Sequence, residues 1–478
     1  MKKTALLLAL ALLTAGAACK GPVAHHGFAS TTSSTPSTTT STAAPTSTTS
    51  TTALPAAPAP DGCDATALTR VGPLPDLTVY TVNATYRADT NIVFGDMQAL
   101  FTPDKDTDRV YMRLWANGPT PSAHGGKIDL AGAYVNDQLL PLNLANPTTA
   151  YVTAPLTAHK QITLRVHFQE TLPTNSDDRL SRVGNTVRLG SWLPLLPWEP
   201  GVGWALDPPT SSNAEASISV ASDFTVHFEV PAGLTVLATG EQVDATDWQA
   251  RAVPDWAASV GNFNVVTGSA GATKVTVGID ASINESPAAY LARVVASLAD
   301  LARRYGPYAY PTFTLALTPG LKGGIEYPGH VMQGPNTNAR TTPHEVAHQW
   351  FYSLVNNDQG RDPWLDEGLA SWAEAQTNHT YASFLAKPIP ADGRDQLGQP
   401  MPFWDPIHND YYRSVYVQTV QALASIGVSP AAIDCALARY VAANAYRVAT
   451  PQALVDALKT VAPNAAQVLA RYGVQRIS

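Results

Sequence analysis

The stretch TTPHEVAHQW sets His344 and His348 four residues apart with Glu345 beside the first, and a further glutamate, Glu367, follows after eighteen intervening residues. On an α-helix, side chains four apart stand one turn above the other on the same face, so both imidazoles can reach a single ion. Glu345 then stands beside them, where it can hold a water on that ion. Thr342-Pro343 supplies the expected start of this helix, with Thr342 as N-cap and Pro343 at the first helical position. The eighteen intervening residues fit a helix end, a turn at Asn356-Asn357-Asp358-Gln359-Gly360 and a second helix opening at Asp362-Pro363. Two such helices packed antiparallel would set Glu367 against the histidine face. Two imidazoles and one carboxylate leave a fourth tetrahedral position for water, the donor pattern of a catalytic rather than a structural zinc site.

The rest of the chain divides by texture. From Leu77 to Val277 it carries short β-type runs such as LTVYTVNATY, RVYMRLW and KQITLRVHF, broken by Gly, Pro, Asn and Asp. The stretch from Leu189 to Pro209 is too rich in Pro and Gly for a regular element and reads as a long ordered loop. After Ala281 the spacing turns helical, beginning with SPAAYLARVVASLADLARRYG, which has Ser286-Pro287 at its start and Gly306 at its end. The residues from 61 onward are too many for one hydrophobic core. The expected fold class is α+β in two domains. An N-terminal antiparallel β-sheet or sandwich spans 61–278, and a mostly helical domain holding the metal motif spans 279–478.

Before these domains, MKKTALLLALALLTAGAACK has the layout of a secretory signal, expected over residues 1–18. A Ser/Thr/Pro-rich tether over 19–60 has too little apolar bulk to order itself. Cys19, directly after Gly16-Ala17-Ala18, is a candidate lipid anchor, so the chain is expected to be exported, either as a cell-envelope lipoprotein or as a secreted protein. That anchor is the one membrane contact the sequence suggests. A net charge of −8 offers no basic surface to nucleic acid. Cys63 and Cys435 are left either to pair across the two domains or to remain as two thiols.

H-E-V-A-H, eighteen residues, then E in WLDEGLASWAE resembles the gluzincin metallopeptidases of the aminopeptidase N and leukotriene hydrolase family. The resemblance implies a thermolysin-like zincin catalytic domain with one zinc per chain. His344, His348 and Glu367 would hold the zinc, Glu345 would be the general base, and Glu374 would orient a ligand histidine. GGIEYPG stands where the family has an edge strand along the substrate, so Gly323, Gly324 and Glu326 become substrate-binding candidates. Glu326 matches the residue that binds the free amino terminus, whereas Tyr327 replaces the family's asparagine. Tyr416 matches a tyrosine that donates to the oxyanion, with Gln418 and Thr419 replacing the usual Lys and Gly and with Tyr411 and Tyr412 as rivals. A second family anchor for the substrate amine, from the β-domain, has no counterpart in WEPGVGWALDPPTSS. The expected function is a zinc aminopeptidase acting on peptides. The alternatives are a zinc endopeptidase or other acyl hydrolase on the same site, and an inactive envelope-tethered binding module of the same fold.

Overall fold

The computed structural model of the protein describes residues 63–64, 68–211, 218–475 and 477. The expected leader over 1–18, the tether over 19–60 and Cys19 lie outside them. No helix among the described residues is long and apolar enough to cross a membrane.

Alternation of apolar and polar residues builds the front half. Along Thr78–Arg87, Tyr80, Val82, Ala84 and Tyr86 point inward, while Asn83 and Arg87 face solvent. This strand joins Ile92–Phe101, Ile162–Thr171 and five others in an eight-stranded sheet. A four-stranded sheet, a three-stranded sheet and a two-stranded sheet complete the β-half. Phe168, Trp192, Phe228 and Trp256 pack within one continuous core, with ring centroids 5.8–6.1 Å apart. The large sheet departs from the antiparallel expectation at one place: Thr78–Arg87 pairs in parallel with Ser222–Glu229. A parallel neighbour requires a long connection, and the intervening chain, which supplies most of the remaining β-strands, provides it.

The segment from Leu189 to Pro209 is ordered without regular structure, apart from a two-residue pairing of Trp198–Glu199 with Gly203–Trp204. Side chains supply what a ladder would otherwise provide. The Arg113 guanidinium donates to the Ala205 carbonyl at 2.7 Å and the Asp207 carbonyl at 3.1 Å.

The back half contains a five-stranded sheet ordered Phe263–Ala270, Thr273–Asp280, Thr312–Leu317, His330–Gln333, Gly324–Tyr327. The domain boundary expected at 278/279 therefore cuts through a sheet. Thr273–Asp280 pairs with Thr312–Leu317, and Val275, Val277 and Ile279 pack in the same core as the helices that follow. The architectural boundary falls near Asn262, because alternation marks a strand without revealing which sheet it joins. Helix Pro287–Tyr305 forms as its signals predict, with the Ser286 side chain accepting from the Ala289 N–H and Gly306 leaving the helix at φ 93°. Cys63 and Cys435 are disulfide-bonded, with Cα atoms 5.5 Å apart. The bond ties the start of the described chain to helix Pro430–Asn444.

Candidate metal centre and catalytic cleft

The helix carrying the histidine motif spans Thr341–Ala347, and His348 just beyond it keeps helical dihedrals of −60° and −14°. The four-residue relation between the imidazoles therefore survives the helix end. The expected N-cap does not form. Arg340 occupies that position, and Thr342 is fully buried with its hydroxyl donating to Gln333 Oε1 at 3.0 Å. Burial of Thr342 and the residues that follow it withdraws Thr342 from capping. After the turn at 356–360, a short 3₁₀ turn at Pro363–Leu365 leads into helix Glu367–Thr377, whose first residue is the distant glutamate. A Cβ on Gly368 would lie 2.6 Å from Thr419 Cβ, so glycine there lets this helix lie close against Gln418–Ala424.

These helix positions bring three donor atoms together. His344 Nε2 lies 3.1 Å from Glu367 Oε2 and 3.2 Å from His348 Nε2, and His348 Nε2 lies 3.4 Å from Glu367 Oε2. A tetrahedral ion with bonds of about 2.0–2.1 Å has donor-to-donor edges of about 3.3–3.4 Å, so the triangle has the size of one face of such a site. Its chemistry fits as well: nitrogen and carboxylate donors in this ratio suit zinc. Asp366, Glu374, Glu326 and Glu345 are also buried here, leaving an excess of negative charge that a divalent cation would balance. Burial alone would lower the His344 titration, but hydrogen bonds to Glu367 and Glu374 outweigh it and raise it to about 10.

Each imidazole has its own carboxylate on the far nitrogen. Glu374 Oε2 lies 3.3 Å from His344 Nδ1, where the sequence placed it. Asp366 Oδ1 accepts from His348 Nδ1 at 2.5 Å and is itself held by Gln359 Nε2, 2.6 Å from Oδ2. Such partners fix the tautomer and raise ligand basicity. Asp366 was not among the expected residues. Its only sequence signal is its position directly before Glu367. Arg340, also unexpected, donates through Nε to Glu374 Oε1 at 2.5 Å.

Glu345 is buried beside the donors, and burial pushes its carboxyl up to about 7 against the pull of the two imidazoles. Strand Gly324–Tyr327, the edge of its sheet, passes directly over it: a Cβ on Gly324 would meet the Glu345 carboxyl carbon at 2.3 Å. Gln349, one residue after His348, clamps this strand to the helix. Its Nε2 donates to the Tyr327 carbonyl at 3.0 Å and its Oε1 accepts from the Gly329 N–H at 2.8 Å. Glu326 is thereby fixed beside the donors. Tyr327 turns away from the cleft toward the β-half, with its hydroxyl 2.9 Å from Ser191 Oγ.

Two cavities meet here. One of about 320 Å³ is lined by Gly323, Gly324, Glu326, Glu345 and both histidines, and the other of about 560 Å³ by Glu326, Glu367 and Tyr416 with Asp177, Arg179 and Tyr411. Among the three tyrosines, Tyr416 alone lines both, whereas Tyr411 lines only the larger and Tyr412 only the smaller. A π-helical turn at Arg413–Val417 carries Tyr416 and sets its ring parallel to His344 with centroids 5.5 Å apart. Single π-turns of this kind often mark functional sites. Burial, and then Glu367, drives the Tyr416 titration upward, so its hydroxyl remains a donor across the neutral range.

Residues 330–472, which hold the histidines, Glu345, Glu367, Glu374 and Tyr416, match the Peptidase family M1 domain. The chain carries a Peptidase family M1 domain. Solved structures of similar fold include an M1 zinc metallopeptidase from Deinococcus radiodurans, 22% identical, covering 84% of this chain and 94% of that one with a TM-score of 0.61. A mutant of the Deinococcus radiodurans M1 zinc metallopeptidase bound to a Tyr-Ser-Ala substrate is 20% identical at the same coverage, with a TM-score of 0.64. A two-domain M1 zinc metallopeptidase mutant bound to L-arginine is 22% identical, again at 84% and 94% coverage, with a TM-score of 0.61. The M1 domain makes this chain a hydrolase of the metallopeptidase class with one zinc ion, which the triangle of His344, His348 and Glu367 could hold.

Proposed function

We propose that the protein is an aminopeptidase that releases residues from the free N-terminus of peptides. The observation that carries this reading is Glu326, a buried carboxylate on the edge strand that opens onto both cavities beside the metal donors. A carboxylate there pairs with a substrate ammonium and holds the first peptide bond over the metal. The relative solved with Tyr-Ser-Ala supports short peptides as the substrate class.

In this reading His344, His348 and Glu367 hold zinc, which when bound supplies Lewis acidity toward water and the scissile carbonyl. Glu345 takes a proton from the attacking water and hands it to the leaving amine. The Tyr416 hydroxyl donates to the carbonyl oxygen as charge builds on it. Glu374 and Asp366 hold the two imidazoles in the ligating tautomer. Gly323 and Gly324 offer the substrate a strand edge without side chains.

Glu345→Gln should keep its zinc and lower kcat/KM by about two to four orders of magnitude. A variant as fast as the parent would sink the mechanism. The lack of a second anchor for the substrate amine in WEPGVGWALDPPTSS favours a second reading, an endopeptidase or other acyl hydrolase on the same site. Matched peptides with free and acetylated N-termini separate the two, since faster cleavage of the acetylated set refutes the aminopeptidase. No turnover by the zinc-loaded parent would leave only a tethered binding module. We also propose export and lipidation at Cys19, tested by incorporation of a fatty-acid label that Cys19→Ser abolishes.

A further inference from the structure

Strand Gly324–Tyr327 ends in two buried side chains that face opposite ways, as successive strand residues must. Glu326 lines both cavities of the cleft, whereas Tyr327 lines neither. The Tyr327 ring instead crosses into the β-half and is seated on Gly190. A Cβ on that glycine would lie 2.6 Å from the ring's Cζ, far inside any real carbon–carbon contact. Beside the seat, the Tyr327 hydroxyl meets Ser191 Oγ at 2.9 Å. Ala257 of the β-half, Leu321 and Met332 share a small core with the ring, separate from the two large ones.

The chain leading into the strand is pinned to the same half. Buried Arg188 donates to the Pro319 carbonyl at 2.6 Å and to the Ser176 and Asp178 carbonyls at 2.7 and 2.8 Å. Asp177 Oδ1 accepts from the Lys322 N–H at 3.0 Å. The strand's own sheet holds it through four residue pairs with His330–Gln333, at the edge of the sheet. So short an edge strand takes its exact place from what packs against its side chains.

We propose that Tyr327 is a positioning residue: seated on Gly190, its ring sets where Glu326 stands and so how tightly the free amine of a peptide is held. This rests on the aminopeptidase reading above, in which Glu326 meets the substrate ammonium. The two Cα atoms are about 3.8 Å apart across one rigid peptide unit, so a displaced ring carries Glu326 with it. A charge-assisted hydrogen bond is short and directional and weakens steeply when its acceptor moves. The metal donors and Glu345 stand on other elements, so the cost falls on binding the amine and not on the chemical step.

The test uses the zinc-loaded full chain with Tyr-Ser-Ala as substrate and acetyl-Tyr-Ser-Ala both as substrate and as competing inhibitor. Gly190→Ala should raise KM for the free peptide about tenfold or more, with kcat within about threefold of the parent. Zinc content and the inhibition constant of the acetylated peptide should stay at the parent's values. Made in a Tyr327→Ala background, the same glycine substitution should add less than about twofold, because the ring it would strike is gone. Tyr327→Phe, a milder change that loses only the Ser191 partner, should raise the same KM about two- to tenfold. An unchanged KM in Tyr327→Phe or in Gly190→Ala overturns the positioning role. So does an equal loss for the free and acetylated peptides, or a Gly190→Ala effect of the same size in both backgrounds, since either leaves Tyr327 as packing alone. Faster cleavage of the acetylated peptide by the parent overturns the aminopeptidase reading instead, before any variant is made.

Discussion

At the scale of single residues, the candidate centre depends on carboxylates that stand outside its donor triangle. Asp366 is almost wholly buried, shares its two oxygens between His348 and Gln359, and so fixes one ligand ring in both rotation and tautomer. Asp366→Asn keeps the shape but replaces an accepting oxygen with an amide that can present the wrong group to Nδ1. Loss of such a partner typically costs ten- to a hundred-fold in metal affinity. The expected outcome is zinc release at about ten- to a hundred-fold lower chelator competition, with the far-ultraviolet circular dichroism of the parent. An unchanged affinity would remove Asp366 from the centre.

At the scale of elements, strand His330–Gln333 joins the edge strand Gly324–Tyr327 to the rest of its sheet. It pairs with Gly324–Tyr327 on one side and Thr314–Leu317 on the other. His330 is buried on this strand, hydrogen-bonded to Ser259 Oγ at 3.0 Å and Thr314 Oγ1 at 2.6 Å. Burial lowers its titration to about 3. In the unfolded chain the same imidazole gains its proton near 6.5. The folded state therefore binds fewer protons between these values, and the contribution of His330 is fully present above pH 6.5 and lost as pH falls toward 3. The slope is about 1.4 kcal/mol per pH unit from this group alone. Denaturant titrations across that window should show His330→Gln losing less stability per pH unit than the parent, and parallel slopes would refute the assignment.

At the scale of the whole molecule, the β-half and the catalytic half are joined by charge and by a covalent clasp. Arg361 pairs at 3.2–3.3 Å with Asp358 on its own turn and with Glu199 and Asp207 on the ordered loop of the β-half. The disulfide holds the N-terminal segment on helix Pro430–Asn444, where the Val71 N–H also donates to the Ala442 carbonyl at 3.0 Å. Because backbone contacts share that task, Cys63→Ser should cost about 2 kcal/mol, the lower end of the usual disulfide range. Thermal unfolding with and without reductant checks it, since the parent should fall to the variant's midpoint when reduced.

The sequence by itself singled out His344, Glu345, His348, Glu367 and Glu374, which the fold brings together, and the division into a β-rich and a helical half. Those features rest on spacing along one helix and on alternation along single strands, both of which are local geometry. Only the tertiary structure decided that Cys63 meets Cys435, that Thr273–Asp280 joins the second sheet, that Thr342 is withdrawn from capping, and that Tyr416 rather than Tyr411 or Tyr412 faces His344. Asp366 and Arg340 belong with these. A carboxylate or a guanidinium acquires its partner from elements packed against it, and nothing in its immediate neighbours along the chain says in which direction it will point.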